Sequence, residues 1–436
     1  MKSRNDRRMS ARIPGLRFFT RALWVAAVLA AFASVFVAAN LRSPYLLVIR
    51  ETAFRGWMAA GILALGFLIF RGRRIMAAPH LIAVSVLLGS ILAGHGAWRH
   101  ERHRDAVMSA SRERFSEVGK HLMIGWLGFE ETRALAAKGA IAGVFIGRSD
   151  FPRGSSAADI RKTVDLLQGV RREAGLPPLW IATDQEGGPV SRLSPAVVKQ
   201  PGLGTWLTDL DGPGLADQPE RQAEIIRRVT EYAEVQARSL AEAGINLNLA
   251  PVVDLRPSGP PGFLDSHTKI STRALAADPH VVALAGETYV RVLAKHSITG
   301  VLKHFPGLGR VPEDTHHFAA HLDLTKEQME SNDWIPFRRI CRNTKTGIML
   351  GHVNLTAIDP DRPASCSAKV ARGLIREEWG MTGLLVTDDF AMAPISHGPG
   401  GIVRAARASI AAGVDLVLIS YDASVVYDLL AILTEQ

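Results

Sequence analysis

From Glu113 onward the chain repeats one pattern eight times: a short apolar run, a polar or glycine-rich break, and a stretch with apolar residues at helical spacing. The runs are His121–Trp126, Gly143–Gly147, Leu179–Thr183, Asn246–Ala250, Gly300–Leu302, Gly347–Gly351, Leu384–Thr387 and Asp415–Ser420. Amphipathic segments such as Glu220–Ala243 and Pro279–Lys295 lie between them. Eight short strands alternating with helices predict a (β/α)8 barrel of the TIM type, with every strand buried behind helices. The Pro- and Gly-rich stretch Pro257–Phe263 reads as an exposed loop.

In such a barrel the groups that do chemistry lie at the C-terminal ends of the strands. Those ends are polar here. Asp184-Gln185-Glu186-Gly187-Gly188 follows the third run, Pro251 and Asp254 follow the fourth, and Lys303-His304 follow the fifth. His352 follows the sixth, and Asp388-Asp389 the seventh. Taken alone, Asp388-Asp389 would be an acidic turn capping a helix. Polar groups recurring at one edge of the barrel instead mark a site.

The densest stretch is Lys303 to His316, KHFPGLGRVPEDTH. Its glycines let the backbone turn sharply after the fifth strand. Asp314 and His316 are two apart, and an extended loop would put both side chains on one side. A carboxylate there fixes the imidazole and readies it to act as acid and then as base.

These motifs, in this order, resemble glycoside hydrolase family 3 in its β-N-acetylglucosaminidase branch. KHFPGLG with D-T-H resembles that family's KHFPGHG with D-S-H. DQEGG, GINLNLAPVVDL and IREEWGMTGLLVTDDFAM fit its further motifs, and the likeness covers Arg114 to Gln436. It implies Asp388 as nucleophile, His316 as general acid/base and Asp314 as its partner. It further implies that Asp184, Arg192, Arg273, Lys303 and His304 hold the sugar hydroxyls and acetamido group. The chemistry suits these types, since a retaining glycosidase needs one attacking carboxylate and one group that gives and then takes a proton. Asp389 reads as support, because one nucleophile suffices. No metal or other cofactor is expected: the spacing of His304, His316, His317 and His321 lacks a zinc pattern. Three positions depart from the family pattern: Leu308 for the second His, Pro189 for an Arg, and Thr315 for Ser. Asp254 and His352 serve either as substrate ligands or as buried scaffold. Trp126, Trp180 and Trp334 fit core or surface packing more readily than sugar platforms, and they are left unassigned.

Charge separates this region from what precedes it. Met1–Arg114 holds 18 Lys+Arg against 5 Asp+Glu, leaving 33 against 37 in the remainder, so the net charge of +9 belongs to the N-terminal part. A nucleic-acid partner therefore finds no basic excess on the motif-bearing part. Residues 1–98 contain three apolar stretches, Ala22–Leu41, Trp57–Phe70 and Ile75–Trp98. The first and third are long enough to span a bilayer. The second reaches if it starts at Thr52 and Arg55 snorkels. A cleaved signal peptide is the rival reading of the first stretch, given Lys2, Arg4, Arg7, Arg8, Arg12 and Arg17 ahead of it.

With Lys2–Arg17 and Arg71–Arg74 in the cytoplasm and the less basic Leu41–Gly56 outside, three spans put the rest beyond the inner membrane. Residues 99–113 would then be a juxtamembrane linker and 114–436 the catalytic barrel. Cys341 and Cys366 are either one disulfide or two thiols. The expected protein is a multi-pass, membrane-anchored β-N-acetylhexosaminidase acting on N-acetylglucosamine-containing glycans of the cell wall. A β-glucosidase of the same family and a silent membrane-bound glycan-binding protein are the alternatives.

Overall fold

A computed structural model of the chain describes residues 14–41, 46–71, 77–259 and 268–435. Most of the basic head Lys2–Arg17, part of the loops Leu41–Gly56 and Arg71–Arg74, the start of the stretch Ile75–Trp98, and residues 260–263 of the expected loop lie outside the described residues. The described residues fall into two compact units that divide between Arg102 and His103.

The first unit contains helices α1 (Pro14–Ala39), α2 (Arg50–Arg71) and most of α3 (Ala77–Ser109). Among the described residues, two helical stretches are long and apolar enough to cross a membrane, Arg50–Ile69 and Pro79–Ser109. The apolar part described in α1, Trp24–Ala39, is shorter than a span requires. The second stretch is longer than its obvious apolar run, because α2 begins seven residues before Trp57 and brings in Arg50–Gly56. The expected linker 99–113 is helical as far as Ser109. From His103 onward it contributes to the second unit, where His103 pairs with Asp428 at 2.6 Å and Val107 is buried.

The second unit is the barrel. Its strands are β1 (Leu122–Gly125), β2 (Gly143–Phe145), β3 (Trp180–Thr183), β4 (Leu247–Asn248), β5 (Thr299–Phe305), β6 (Gly347–Leu350), β7 (Leu385–Thr387) and β8 (Val417–Ile419). All pairs are parallel, in the order β7-β6-β5-β4-β3-β2-β1-β8. A bridge between Val386 and Leu416 joins β7 to β8, so the sheet is a nearly closed barrel. Each expected run coincides with one strand, and only β5 is longer than its run. After β1 to β5 come α4 (Phe129–Ala137), α5 (Ala157–Glu173), α6 (Pro219–Glu242), α7 (Pro279–Lys295) and α8 (Trp334–Asn343). A wide-turned segment, Lys369–Glu378, follows β6, and α9 (Gly401–Ala412) and α10 (Val425–Leu433) follow β7 and β8. Helix α7 starts where the sequence dictates: the Asp278 side chain accepts from the amides of His280 and Val281, with Pro279 in the first turn. Cys341 and Cys366 are free thiols, which settles the choice between disulfide and thiols.

Strand pleat decides what faces the barrel axis. Met123, Ala182, Leu247, Leu249, Val301, Met349, Val386, Leu416 and Leu418 form one cluster inside the barrel. Their neighbours Leu122, Ile124, Ile181, Leu302, Ile348, Leu385, Val417 and Ile419 belong to the larger core shared with the helices. Successive side chains alternate faces. One inward step beyond Ala182, Val301 and Val386 are Asp184, Lys303 and Asp388, and the pleat carries these three charged groups toward the axis at one end of the barrel.

The turn after β3 shows how tightly this end is built. Gln185–Gly187 pairs with Val190–Ser191 as a short hairpin, with Pro189 exposed at its tip. Gly187 has φ 92°, and a Cβ there would lie 2.0 Å from the Tyr232 hydroxyl, which α6 sends in to donate to Pro201 O at 2.8 Å. Gly187→Ala is therefore expected to destabilise the barrel by about 2–4 kcal/mol through positive-φ strain and overpacking. Urea unfolding of both proteins checks this, and an unchanged midpoint would refute it.

Candidate active site

Two cations are enclosed at the floor of the site, and both lean on one carboxylate. The Lys303 and Arg273 side chains are 2% and 8% exposed. Arg273 donates from Nε and Nη2 to Glu186 at 2.9 and 2.7 Å. Lys303 Nζ lies 2.6 Å from Glu186 Oε1 and donates to Asp184 Oδ1 at 2.6 Å. Burial alone would raise the Glu186 carboxyl and lower the Lys303 ammonium. The opposite charges prevail, so the Glu186 carboxyl lies far below the usual range and Lys303 above its own.

His304 is fixed beside this group. Its Nδ1 lies 2.7 Å from Asp254 Oδ2, and Arg273 Nη2 approaches its Nε2 at 3.3 Å. Asp254 is fully buried and also accepts from the amides of His304 and Leu308. The departure at Leu308 thus leaves the support of the Lys-His pair intact, because that support comes through the residue-308 backbone.

Asp314 and His316 meet, though not in an extended loop. They lie in a turn in which the amides of His317 and Phe318 bond to Asp314 O. The buried Asp314 Oδ1 accepts from the His316 amide and lies 3.0 Å from its Nδ1. Thr268 donates to the same oxygen at 2.9 Å. The turn pairs two residues whose spacing alone would have needed a straight backbone.

Asp388 stands at the end of β7, half-buried. Among the described residues only the Asp389 amide donates to its carboxylate, at 2.8 Å to Oδ1. Burial would raise this carboxyl, but the imidazoles of His304, His352 and His316 more than offset it and hold the group below the ordinary aspartate value. His316 responds in the opposite sense: burial lowers it despite the raising pull of Asp388 and Asp314. Asp389 faces elsewhere. Its carboxylate accepts from the Ser420 amide and hydroxyl, the Tyr421 amide and the Ala391 amide, tying the end of β7 to the end of β8. His352 is buried between Ser365 Oγ at 2.9 Å and Asp389 O at 3.0 Å, which makes it scaffold.

Set beside known proteins, residues 116–436 match the Glycosyl hydrolase family 3 N terminal domain. The chain belongs to glycosyl hydrolase family 3. It is 34% identical over 284 residues to a beta-hexosaminidase of Xylella fastidiosa strain M23, covering 65% of this chain and 77% of that one. To a beta-hexosaminidase of Stenotrophomonas maltophilia strain K279a it is 32% identical over 303 residues, covering 69% and 83%. A family 3 β-N-acetylglucosaminidase from Paenibacillus sp. FPU-7 superposes with a TM-score of 0.63 at 29% identity, over 73% of this chain and 57% of that chain. Neisseria gonorrhoeae NagZ, solved with N-trifluoroacetyl-D-glucosamine, gives 0.59 at 26% identity, over 71% and 84%. The chain is a glycosidase, a family 3 hydrolase of the beta-hexosaminidase type.

Within this fold Asp184, Arg273, Lys303 and His304 form one bonded group, and Asp314 and His316 another, with Asp388 in the field of both. Arg192 is the exception. It is exposed, its side chain makes no hydrogen bond or ion pair among the described residues, and only its backbone joins the site, donating to Asp184 O at 3.0 Å. Trp334 is fully buried against Phe305, and Trp126 and Trp180 are half-buried. The sequence reading gave Glu186 no role and missed Thr268. Glu186 had a signal, since two cations facing the barrel axis require a counter-charge. Glu186→Gln should leave those cations under-compensated and cost about 3–5 kcal/mol of stability together with most activity. Thermal unfolding and turnover of the variant check this, and wild-type values for both would remove Glu186 from that role.

Proposed function

We propose that the chain is a retaining β-N-acetylhexosaminidase that removes β-linked N-acetylglucosamine from the non-reducing ends of glycans. One observation carries the reading: the sparsely bonded Asp388 carboxylate lies in the field of His316, whose Nδ1 is held by a buried carboxylate. Asp388 attacks the anomeric carbon as the glycosidic C–O bond breaks, and the departing oxygen takes a proton from His316. The resulting glycosyl ester is hydrolysed when water attacks and His316 takes its proton back, so the anomeric configuration is retained. Asp314 orients the imidazole and stabilises its charged form. Asp184, Lys303, Arg273 and His304, with Arg192 at the rim, hold the glycone. The N-acylated sugar bound by the similar Neisseria enzyme supports an acetamido substrate. Nothing in the scheme requires a cofactor.

Asp388→Ala should lose turnover by several orders of magnitude while sugar binding persists. His316→Ala should harm a natural disaccharide far more than an activated aryl glycoside, whose leaving group needs no proton. The same residues set the pH profile. The first step needs Asp388 ionised and His316 protonated, so kcat/KM rises through a value below the usual aspartate range and falls through one below the usual histidine value near 6.5. A mildly acidic optimum with the disaccharide, and a weaker fall on the alkaline side with the aryl glycoside, is expected. Full activity of Asp388→Ala, or equal losses of His316→Ala on both substrates, would sink the assignment.

The same proposal places the enzyme at a membrane. Leu29, Phe36, Ile62, Leu63 and Ile91 on the N-terminal helices are 59–75% exposed, an apolar surface that water does not favour. The two long stretches are only 11% and 28% buried, unlike core helices of a globular protein. The sequence stretch Ala22–Leu41, of which Trp24–Ala39 is the apolar part described in α1, makes a third span, and with a cytoplasmic N-terminus three spans put the barrel outside, near peptidoglycan. Reporter fusions after Arg104 should be active only in the export-dependent form. Activity of the cytoplasmic reporter instead would leave two spans and an enzyme facing the cytosol.

A further inference from the structure

Two aromatic rings stand at the mouth of the barrel without a core to pack in. Phe318 is 47% exposed and Tyr421 69%, and every other aromatic side chain described in the catalytic unit is buried or half-buried. Isolated exposed apolar residues are ordinary on protein surfaces. The other large ones exposed in this unit, however, are aliphatic: Leu166, Val198, Ile226 and Val235. Both exposed aromatics are instead tied by their backbones to the reacting groups. The Tyr421 amide donates to Asp389 Oδ2 at 2.9 Å, one residue from Asp388. The Phe318 amide donates to Asp314 O at 3.0 Å, two residues past His316.

The connections after β5, β7 and β8 are joined in series here: the Ala393 amide, just beyond Asp388-Asp389, donates to His316 O at 3.1 Å, and Asp389 in turn holds the Tyr421 amide. With the glycone held by Asp184 and Lys303 at the floor, a leaving group protonated by His316 meets the turn that carries Phe318, and the bonds through Ala393 and Asp389 join that turn to Tyr421. The C–H face of a pyranose is weakly positive and apolar, and it complements the negative face of an aromatic ring. Both backbone anchors are independent of the ring, so either side chain can be changed without loosening Asp389 or Asp314.

We propose that Tyr421 and Phe318 form a subsite for the leaving group, a pyranose ring stacked on an aromatic face, which selects sugar aglycones over small ones. This rests on the assignment of Asp388 and His316 above. The test compares two substrates with the same glycone: the β-1,4 disaccharide of N-acetylglucosamine, and N-acetyl-β-glucosaminyl fluoride, whose one-atom leaving group cannot reach a ring. Covering about 50 Å² of apolar ring corresponds to roughly a tenfold effect on kcat/KM. Tyr421→Ala should therefore lower the disaccharide-to-fluoride ratio of kcat/KM about tenfold, chiefly through KM, and Phe318→Ala should add to it. Tyr421→Phe, which keeps the ring, should hold the ratio within about twofold.

A ratio unchanged in the double alanine variant overturns the subsite, because both substrates then fall together or not at all. So does a wild-type enzyme that cleaves the fluoride but not the disaccharide. A wild-type enzyme that cleaves neither rejects the catalytic assignment itself, and the subsite with it.

Discussion

Lys303 and Arg273 can occupy the floor of this barrel only because Glu186 lies between them. An enclosed ammonium or guanidinium is strongly disfavoured unless paired and hydrogen-bonded. Glu186 neutralises both, Asp184 shares Lys303, and Asp254 fixes the histidine that touches Arg273. The consequence is a set of donors and acceptors whose directions are fixed before any ligand arrives. Such preorganisation favours binding and catalysis, because the groups need not reorient at the moment of reaction. The same arrangement makes the site brittle, since each charge depends on a partner from a different part of the chain.

The strands supply that arrangement through their two-residue period. An inward apolar position followed by an inward polar one is a small sequence signal. Repeated at Ala182 and Asp184, Val301 and Lys303, and Val386 and Asp388, it converts a packed interior into a reactive end within one pleat. Loops then deliver the groups that no strand can place. Arg273 and Thr268 come from the β4–α7 connection, Asp314 and His316 from the one after β5.

What the sequence made legible follows from this division. Strand-borne residues were readable because period and position fix their direction, so all eight strands and Asp184, Lys303, His304 and Asp388 fall where expected. Asp314 and His316 were paired correctly for a reason the turn replaces: a side chain bonding its own backbone leaves no trace in spacing. Thr268 was invisible because it reaches Asp314 across 46 positions of chain. Glu186 lies within the DQEGG motif, but its role appears only once two cations are counted on the same floor. Arg192 matched its motif, but its side chain stands apart from the bonded group. The N-terminal stretches were harder, because helix ends decide whether an apolar run is long enough, and α2 gathers residues outside the obvious run.

Asp389 has a consequence beyond structural support. Its carboxylate binds the last two strands together, while the residue before it is assigned to attack the sugar. Shape and reactivity are therefore written in adjacent codons. A gene copy drifting toward another chemistry could exchange Asp388 freely only if Asp389 stayed, and any insertion between them would open the barrel seam as it moved the nucleophile. Descendants of this scaffold would be expected to explore new substrates at the rim, through positions such as 318 and 421, long before the pair at its seam changes.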